Sequence, residues 1–455
     1  MTRAGVATVI MLMAGAASAH GQEADLLRRI EALQKAIEQQ SRELDELRRL
    51  LADAPAAPTP PAAPMPQPEA STSVAESRAA QRTAELPPEN IAASEFPGSF
   101  PIPNSGAALK IGGLVRVNWV STNNALLVED RFVTSAIPVE GTAEADKGGR
   151  VEVMARPSRF NFDLRTPTGV GHMRAFVEGD FAGSGNTLRL RHAYGQWQNA
   201  IYGHTWSTFS DPEAEPDGID FEGLNAIILF RQAQIRWTVG LTEQTRLAFA
   251  LEDPQPDLTG ADGVNQVPDI IARLRWRPKV GGHLQAAGLF RQIRGEPPDR
   301  PNDIVGALGW GVTVSGRLPS PFWRDRDNVL FQHNQGAGIG RYITDLSAEG
   351  GQDGVYDPLL NEMRTLRAFS GYLGYEHWWT ERLRSSLSVG LVRVNNLDIQ
   401  SDDALHVTRR YSTNLIWSPI PRLDLVTEVL WGIRINRDER RGRARQTQVG
   451  GTFRF

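Results

Sequence analysis

From Leu109 to Phe455 the chain repeats one pattern, apolar and polar side chains alternating in segment after segment. In the last segment Thr447, Val449, Gly451, Phe453 and Phe455 share one face, and Gln446, Gln448, Gly450, Thr452 and Arg454 the other. Upstream, Leu423, Leu425, Val429, Trp431 and Ile433 alternate with Asp424, Glu428, Arg434 and Asn436. Phe160, Phe162 and Leu164 alternate with Arg159, Asn161, Asp163 and Arg165, and Met173, Ala175 and Val177 with Arg174, Glu178 and Asp180. A period of two is the period of a β-strand. A soluble sheet also alternates, but its polar face meets open water and carries any mixture. Here that face is repeatedly ionic over long strands, which suits the water-filled interior of a membrane barrel. No segment after the N-terminal leader offers 18 uninterrupted apolar residues, so a transmembrane helix is not expected.

Sixteen such segments can be counted, starting near residues 109, 151, 170, 187, 200, 226, 244, 267, 282, 304, 329, 364, 382, 406, 422 and 444. Connections after even-numbered segments are mostly tight, as at Thr166–Gly169, Gln198–Asn199 and Thr380–Glu381. Those after odd-numbered segments are often long, as at Ser121–Arg150, Phe209–Asn225 and Asp345–Glu362. Short turns at one end and long loops at the other are the pattern of an outer-membrane barrel, with the turns periplasmic. Trp197, Trp237, Trp276, Trp379 and Trp417 each fall near a predicted periplasmic turn, where an aromatic girdle belongs. The terminal strand, ending on Phe455, resembles the signal read by outer-membrane assembly machinery. The fold expected is all-β, a transmembrane antiparallel barrel of about sixteen strands over residues 105–455.

The N-terminal part has its own logic. Arg3, the apolar run Val6–Ala17 and the small-residue site Ala17-Ser18-Ala19 read as a signal peptide over residues 1–19. Residues 20–53 carry Leu26, Ile30, Leu33, Ile37, Leu44, Leu47 and Leu51 at heptad spacing, interrupted at Gln40. A strict 3.5-residue period favours self-association, so a periplasmic α-helical coiled coil is expected. Residues 54–104 form a linker, its first third stiffened by seven prolines between Pro55 and Pro68.

The barrel segment resembles the DcaP-like outer-membrane porins. The resemblance is carried by Ser158–Thr168, Val177–Phe181, Leu188–Gln196, Gly203–Phe209, Asp220–Gly223, Arg231–Arg236 and Gly338–Tyr342. It is dense over residues 158–236 and thinner afterwards. It implies a homotrimer of sixteen-stranded porins in outer-membrane lipid that admits small anionic solutes, dicarboxylates among them.

Of 49 basic residues only Lys35, Lys110, Lys147 and Lys279 are lysines, so the barrel is arginine-rich. Arg159, Arg165, Arg174, Arg189, Arg191, Arg236, Arg273, Arg275 and Arg277 sit on expected lumen faces. A guanidinium keeps its charge and fits a carboxylate as a fork, so rows of arginine would line an anion path. Pairing with lumen acids merely to fill the wall is an equally good reading for any single arginine. The third outer loop carries Asp211, Glu213, Glu215, Asp217, Asp220 and Glu222, and in porins that loop folds inward and narrows the pore. Its acids would face the wall arginines across the constriction. Clustered carboxylates also suit a divalent cation, but the stretch lacks the glycine spacing of a calcium loop, and no metal or cofactor is expected.

Other functions are less well supported. There is no Gly-x-Ser-x-Gly elbow and no His-Glu-x-x-His, so no catalytic residues are assigned. A net charge of −4 argues against a nucleic-acid partner. The alternative is an envelope tether, with the coiled coil gripping periplasmic or cell-wall components. An anchor of that kind needs only about eight strands.

Overall fold

The computed structural model describes residues 96–455 apart from Ala125 and residues 321–325, together with Lys35. The signal peptide, the coiled coil and most of the linker expected from sequence therefore lie outside the described residues. The barrel begins with β1 (Ala108–Asn124) and an interrupted β2 (Gly148–Met154 and Arg159–Thr168). There follow β3 (Gly171–Asp180), β4 (Arg189–Trp197), β5 (Ala200–Trp206), β6 (Arg231–Gly240), β7 (Thr245–Glu252) and β8 (Asp269–Trp276). The second half comprises β9 (His283–Glu296), β10 (Val305–Pro319), β11 (Asn328–Ala337), β12 (Arg367–Trp378) and β13 (Leu383–Asn395), then β14 (Leu405–Ile420), β15 (Leu423–Asn436) and β16 (Arg441–Arg454).

Each strand pairs antiparallel with the next, and β16 returns to β1 with Val117 opposite Gly451 and Trp119 opposite Val449. Closure removes the open edge that lipid would not tolerate. All sixteen expected segments are present, and the loop rhythm holds: the first and last strands begin and end at the short-turn end. The five tryptophans assigned to the girdle are all exposed on the outer wall.

One boundary differs. Residues 226–230 read as the start of the sixth strand, but β6 begins at Arg231. Ala226, Ile227 and Ile228 are fully buried in a cluster inside the barrel. A short apolar run does not reveal its partner by periodicity, and here the partner is another loop. The third outer loop (207–230) contributes Phe209, Leu224, Ile227 and Ile228 to that cluster, and the sixth (338–366) contributes Ile339, Tyr342, Ile343 and Leu346. Helix α1 (Thr344–Glu349) lies in the sixth loop. The first loop adds Phe132 and Ile137 against Leu430 and Ala444 of the wall. Gly432 permits this approach, because a Cβ there would stand 2.8 Å from the Phe132 ring and 2.7 Å from Ile137 Cδ1. Three loops thus fold into the lumen and bury apolar surface there, which fixes where the pore narrows.

Candidate pore constriction

Alternation on the strands turns Arg116 (β1), Arg159 (β2) and Arg189 and Arg191 (β4) toward a cavity of about 470 Å³; Arg231, the first residue of β6, joins them although it shares the phase of the exposed Ala233 and Ile235. One local irregularity concentrates them. At a β-bulge Glu178 pairs with His192 and Gly179 with Leu190, so Arg191 is the extra residue. A bulge places two consecutive side chains on one side, and both Arg191 and His192 are buried on the inner face. The His192 Nδ1 lies 3.0 Å from Thr205 Oγ1.

Three of these arginines share two acids. Arg189 donates to both Asp180 oxygens at 3.0 and 2.7 Å, and Arg191 donates to Glu178 at 2.9 Å and Asp180 at 2.8 Å. Arg159 lies 3.5 Å from Glu178, and its Nε is buried without a hydrogen-bond partner. Arg116 donates to Thr452 Oγ1 at 3.0 Å. Arg231 stacks on Trp206, 4.2 Å from the ring centre, with Nη1 buried and unpartnered. Among the described residues neither Arg116 nor Arg231 forms an ion pair. Five guanidinium groups therefore converge around two carboxylates.

Further round the barrel the cavity wall is closer to balance. Arg384 meets Asp217 at 3.0 Å and Asp424 at 3.5 Å, Arg410 meets Asp220 at 2.8 Å, and Arg454 meets Asp424 at 2.8 Å. Glu428 accepts the backbone N–H groups of Ile219 at 2.7 Å and Asp220 at 3.1 Å, holding the tip of the third loop.

The loop acids act as struts. Asp211 accepts from Arg275 at 2.9 Å, His283 at 2.7 Å and Ser315 at 2.6 Å, side chains of β8, β9 and β10. Burial alone would raise its pKa, but the charges of Arg275 and His283 outweigh burial and hold the carboxyl far below the usual range. Glu213 takes Arg275 at 2.9 Å and Arg277 at 2.7 Å. Glu222 meets Arg131 at 3.1 Å, yet burial pushes its pKa up to about 7. Asp220 also accepts from the Phe132 N–H at 3.1 Å and Gln448 at 2.7 Å, tying the first loop to the third.

Of the wall arginines expected from sequence, Arg159, Arg189 and Arg191 line the cavity, and so do the loop acids Glu215, Asp217, Asp220 and Glu222. The others lie elsewhere on the inner wall. Arg174 donates to both oxygens of Asp163 at 2.9 and 2.8 Å, and Arg165, 3.4 Å from the same carboxylate, stacks 3.8 Å over Phe96. Arg275 grips the loop, and Arg236 and Arg273 are buried outside the cavity lining. Sequence reasoning missed Arg116, Arg131, Arg231, Arg341, Arg384, Arg410 and Arg454 as lining residues. Arg116, Arg384 and Arg410 were within reach of the alternation argument. Arg231 was hidden because it shares the lipid-facing phase of Ala233 and Ile235, and Arg131 and Arg341 sit on loops, where no period exists.

A family model described as DcaP outer membrane protein matches residues 98–455. The chain belongs to the DcaP outer membrane protein family. The outer membrane channel DcaP of Acinetobacter baumannii superposes with a TM-score of 0.70 at 21% identity, covering 79% of this chain and all (100%) of that one. An anion-selective porin from Comamonas acidovorans gives a TM-score of 0.51 at 12% identity, over 77% of this chain and 100% of its own. No curated protein matches the sequence. Family and fold together make this DcaP-family protein an outer-membrane porin, and they point to a channel rather than an enzyme.

Proposed function

We propose that this porin passes small anions, dicarboxylates among them, and that Arg116, Arg159, Arg189, Arg191 and Arg231 select them. The observation that carries the reading is the excess of guanidinium over carboxylate on this wall, with buried N–H groups on Arg159 and Arg231 left without partners. A buried donor without a partner is costly, and a permeating carboxylate relieves that cost with charge-assisted hydrogen bonds. Binding of this kind stays weak enough for flux when several donors lie along the path rather than in one closed cage. The solved Comamonas acidovorans porin of the same fold is described as anion-selective, which agrees with the reading.

The test is the reversal potential of single channels in a potassium chloride gradient. Wild type should prefer chloride, and R159Q/R231Q should lose much of that preference. R165Q/R174Q, whose arginines grip Asp163 away from the cavity, should not. Cation preference in the wild type sinks the proposal. Blocking of chloride current by succinate, weakened in R159Q/R231Q, tests the dicarboxylate part. The homotrimer, the signal peptide and a periplasmic coiled coil over residues 20–53 belong to the same reading. They rest on the family resemblance, the leader pattern, the heptad and the placing of both barrel ends at the short-turn end.

A further inference from the structure

The outer wall carries charge where a lipid-facing surface normally does not. Arg367 (β12), Arg393 (β13), Arg409 (β14) and Arg441, Arg443 and Arg445 (β16) are all exposed. Each occupies an outward position of its strand, alternating with buried lumen residues such as Val392, Arg410, Ala444 and Gln446. Among the described residues none of the six is in an ion pair.

The pairing register places them together. Arg443 lies opposite Ile433, Ile433 opposite Arg409, and Arg409 opposite Leu391. The next row outward runs through Arg441, Ile435, Val407, Arg393 and Phe369. The row on the inner side holds Arg445, Trp431, Tyr411 and Val389. Trp431 and Tyr411 are exposed aromatics, and their level marks the boundary between acyl chains and headgroups. The arginines therefore begin at that boundary and continue beyond it, toward the long-loop end. Outward positions on β12–β16 include no Asp or Glu.

The opposite arc is different in kind. Near the long-loop ends of β4, β6, β7 and β8 the outward residues are Leu190, Ile235, Leu251 and Ile270, each exposed and apolar. The unbroken basic rim of β12–β16 thus contrasts with that apolar arc, and with β9, where the outward Arg294 is accompanied by the outward Glu296.

We propose that the outer face of β12–β16 binds the phosphate groups of an anionic glycolipid in the outer leaflet. Unpaired guanidinium groups at headgroup depth need anions, and a phosphate accepts two N–H donors from one arginine. Adjacent strands lie about 4.8 Å apart, so Arg409 can share a phosphate with Arg393 on one side or Arg443 two strands away. Aliphatic stems of these arginines lie along apolar neighbours while their heads reach outward. The rows of leucine, valine and aromatic side chains beneath them accept the acyl chains.

The experiment titrates the purified barrel in neutral detergent with three lipids, read by native mass spectrometry. The lipids are bis-phosphorylated lipid A, lipid A stripped of both phosphates, and phosphatidylglycerol. Wild type should bind the phosphorylated glycolipid at least about tenfold more tightly than the other two, with affinity falling as salt rises. R393Q/R409Q/R441Q/R443Q should lose that advantage while keeping its single-channel conductance, because none of the four lines the cavity. Equal binding of phosphorylated and stripped lipid by the wild type overturns the proposal. So does phosphatidylglycerol bound as tightly as the glycolipid, which would assign the face to general anionic lipid, and so does a variant that keeps the wild-type preference. If the variant does not assemble, the wild-type comparison of phosphorylated with stripped lipid decides alone.

Discussion

Replacing Asp211 with alanine should loosen the third loop at its root inside the barrel. The carboxylate joins three strands: Arg275 at 2.9 Å, His283 at 2.7 Å and Ser315 at 2.6 Å. Asp211 is fully buried, and the Arg275 side chain is 6% exposed, so water screens neither. Removing one partner of a buried ion pair costs roughly 3–5 kcal/mol. The lower end applies, because Arg275 keeps Glu213 at 2.9 Å and Gln285 at 3.0 Å. About 3 kcal/mol corresponds to an increase of roughly 10²-fold in the population of the detached loop segment. The stretch that loosens is Pro212–Glu215, between Phe209 in the apolar cluster and Asp217, which stays bonded to Arg384. The assay is single-channel recording. D211A should show larger conductance with added open-state noise, and D211N, which keeps the shape, a smaller change. Wild-type conductance and noise in D211A, in channels shown to be folded by heat-modifiable migration on a gel, would refute the strut role.

Two further outcomes are expected. Glu222 has its pKa raised to about 7 by burial, against the pull of Arg131, with Asp220 and Asp345 adding to the rise and Arg410 opposing it. A raised carboxyl is protonated below that value, so acidification from pH 8 to 6 removes a negative charge from the cavity and should increase anion preference; in E222Q the reversal potential should show a smaller pH response. The same raised value means that Glu222 favours folding at low pH and that this contribution is lost as pH rises from about 4.5 through 7. I228A should cost roughly 2–5 kcal/mol through lost burial inside the lumen, lowering the temperature at which the folded band disappears on a semi-native gel, while I235A on the lipid face should leave it nearly unchanged.

Much of the fold was legible because a barrel strand must satisfy two solvents at once. Phe162 can only face lipid and Asp163 only the lumen, and that contrast repeats for some 350 residues, so register and strand number follow from simple alternation. The signal fails where a segment answers to one environment. Ala226, Ile227 and Ile228 are apolar together because every side of them is covered, and residues 226–230 read as strand although they are loop. It fails too where phase shifts: the bulge at Arg191 turns His192 inward, and the only trace of it in the sequence is the adjacent polar pair Arg191-His192. The arginine content was legible, but the distribution of its partners was not. Arg165 and Arg231 both precede or end polar runs and look alike in sequence; one is held by Asp163 and the other has no acid beside it, which depends on residues from neighbouring strands.

The acidic third loop posed a problem of sign, since six carboxylates at a constriction would attract cations as readily as the wall attracts anions. Its geometry bears on which effect wins. Five of the six are held by arginine: Asp211 and Glu213 by Arg275, Asp217 by Arg384, Asp220 by Arg410 and Glu222 by Arg131. Each of these pairs is close to neutral when seen from a few ångströms away, because opposite charges at contact distance cancel at longer range. They hold the loop, and they take arginines out of the field as they do so. What remains is set by residues without such partners, chiefly Arg116 and Arg231, and by Arg159, Arg189 and Arg191 sharing only Glu178 and Asp180. A loop richer in acid than the wall opposite can therefore stand in a pore whose field is positive, provided most of its acids are held by arginines. On this argument D217N should shift selectivity toward anions, because it leaves Arg384 only Asp424 at 3.5 Å, and R231Q should shift it toward cations, because it removes a charge that no acid offsets.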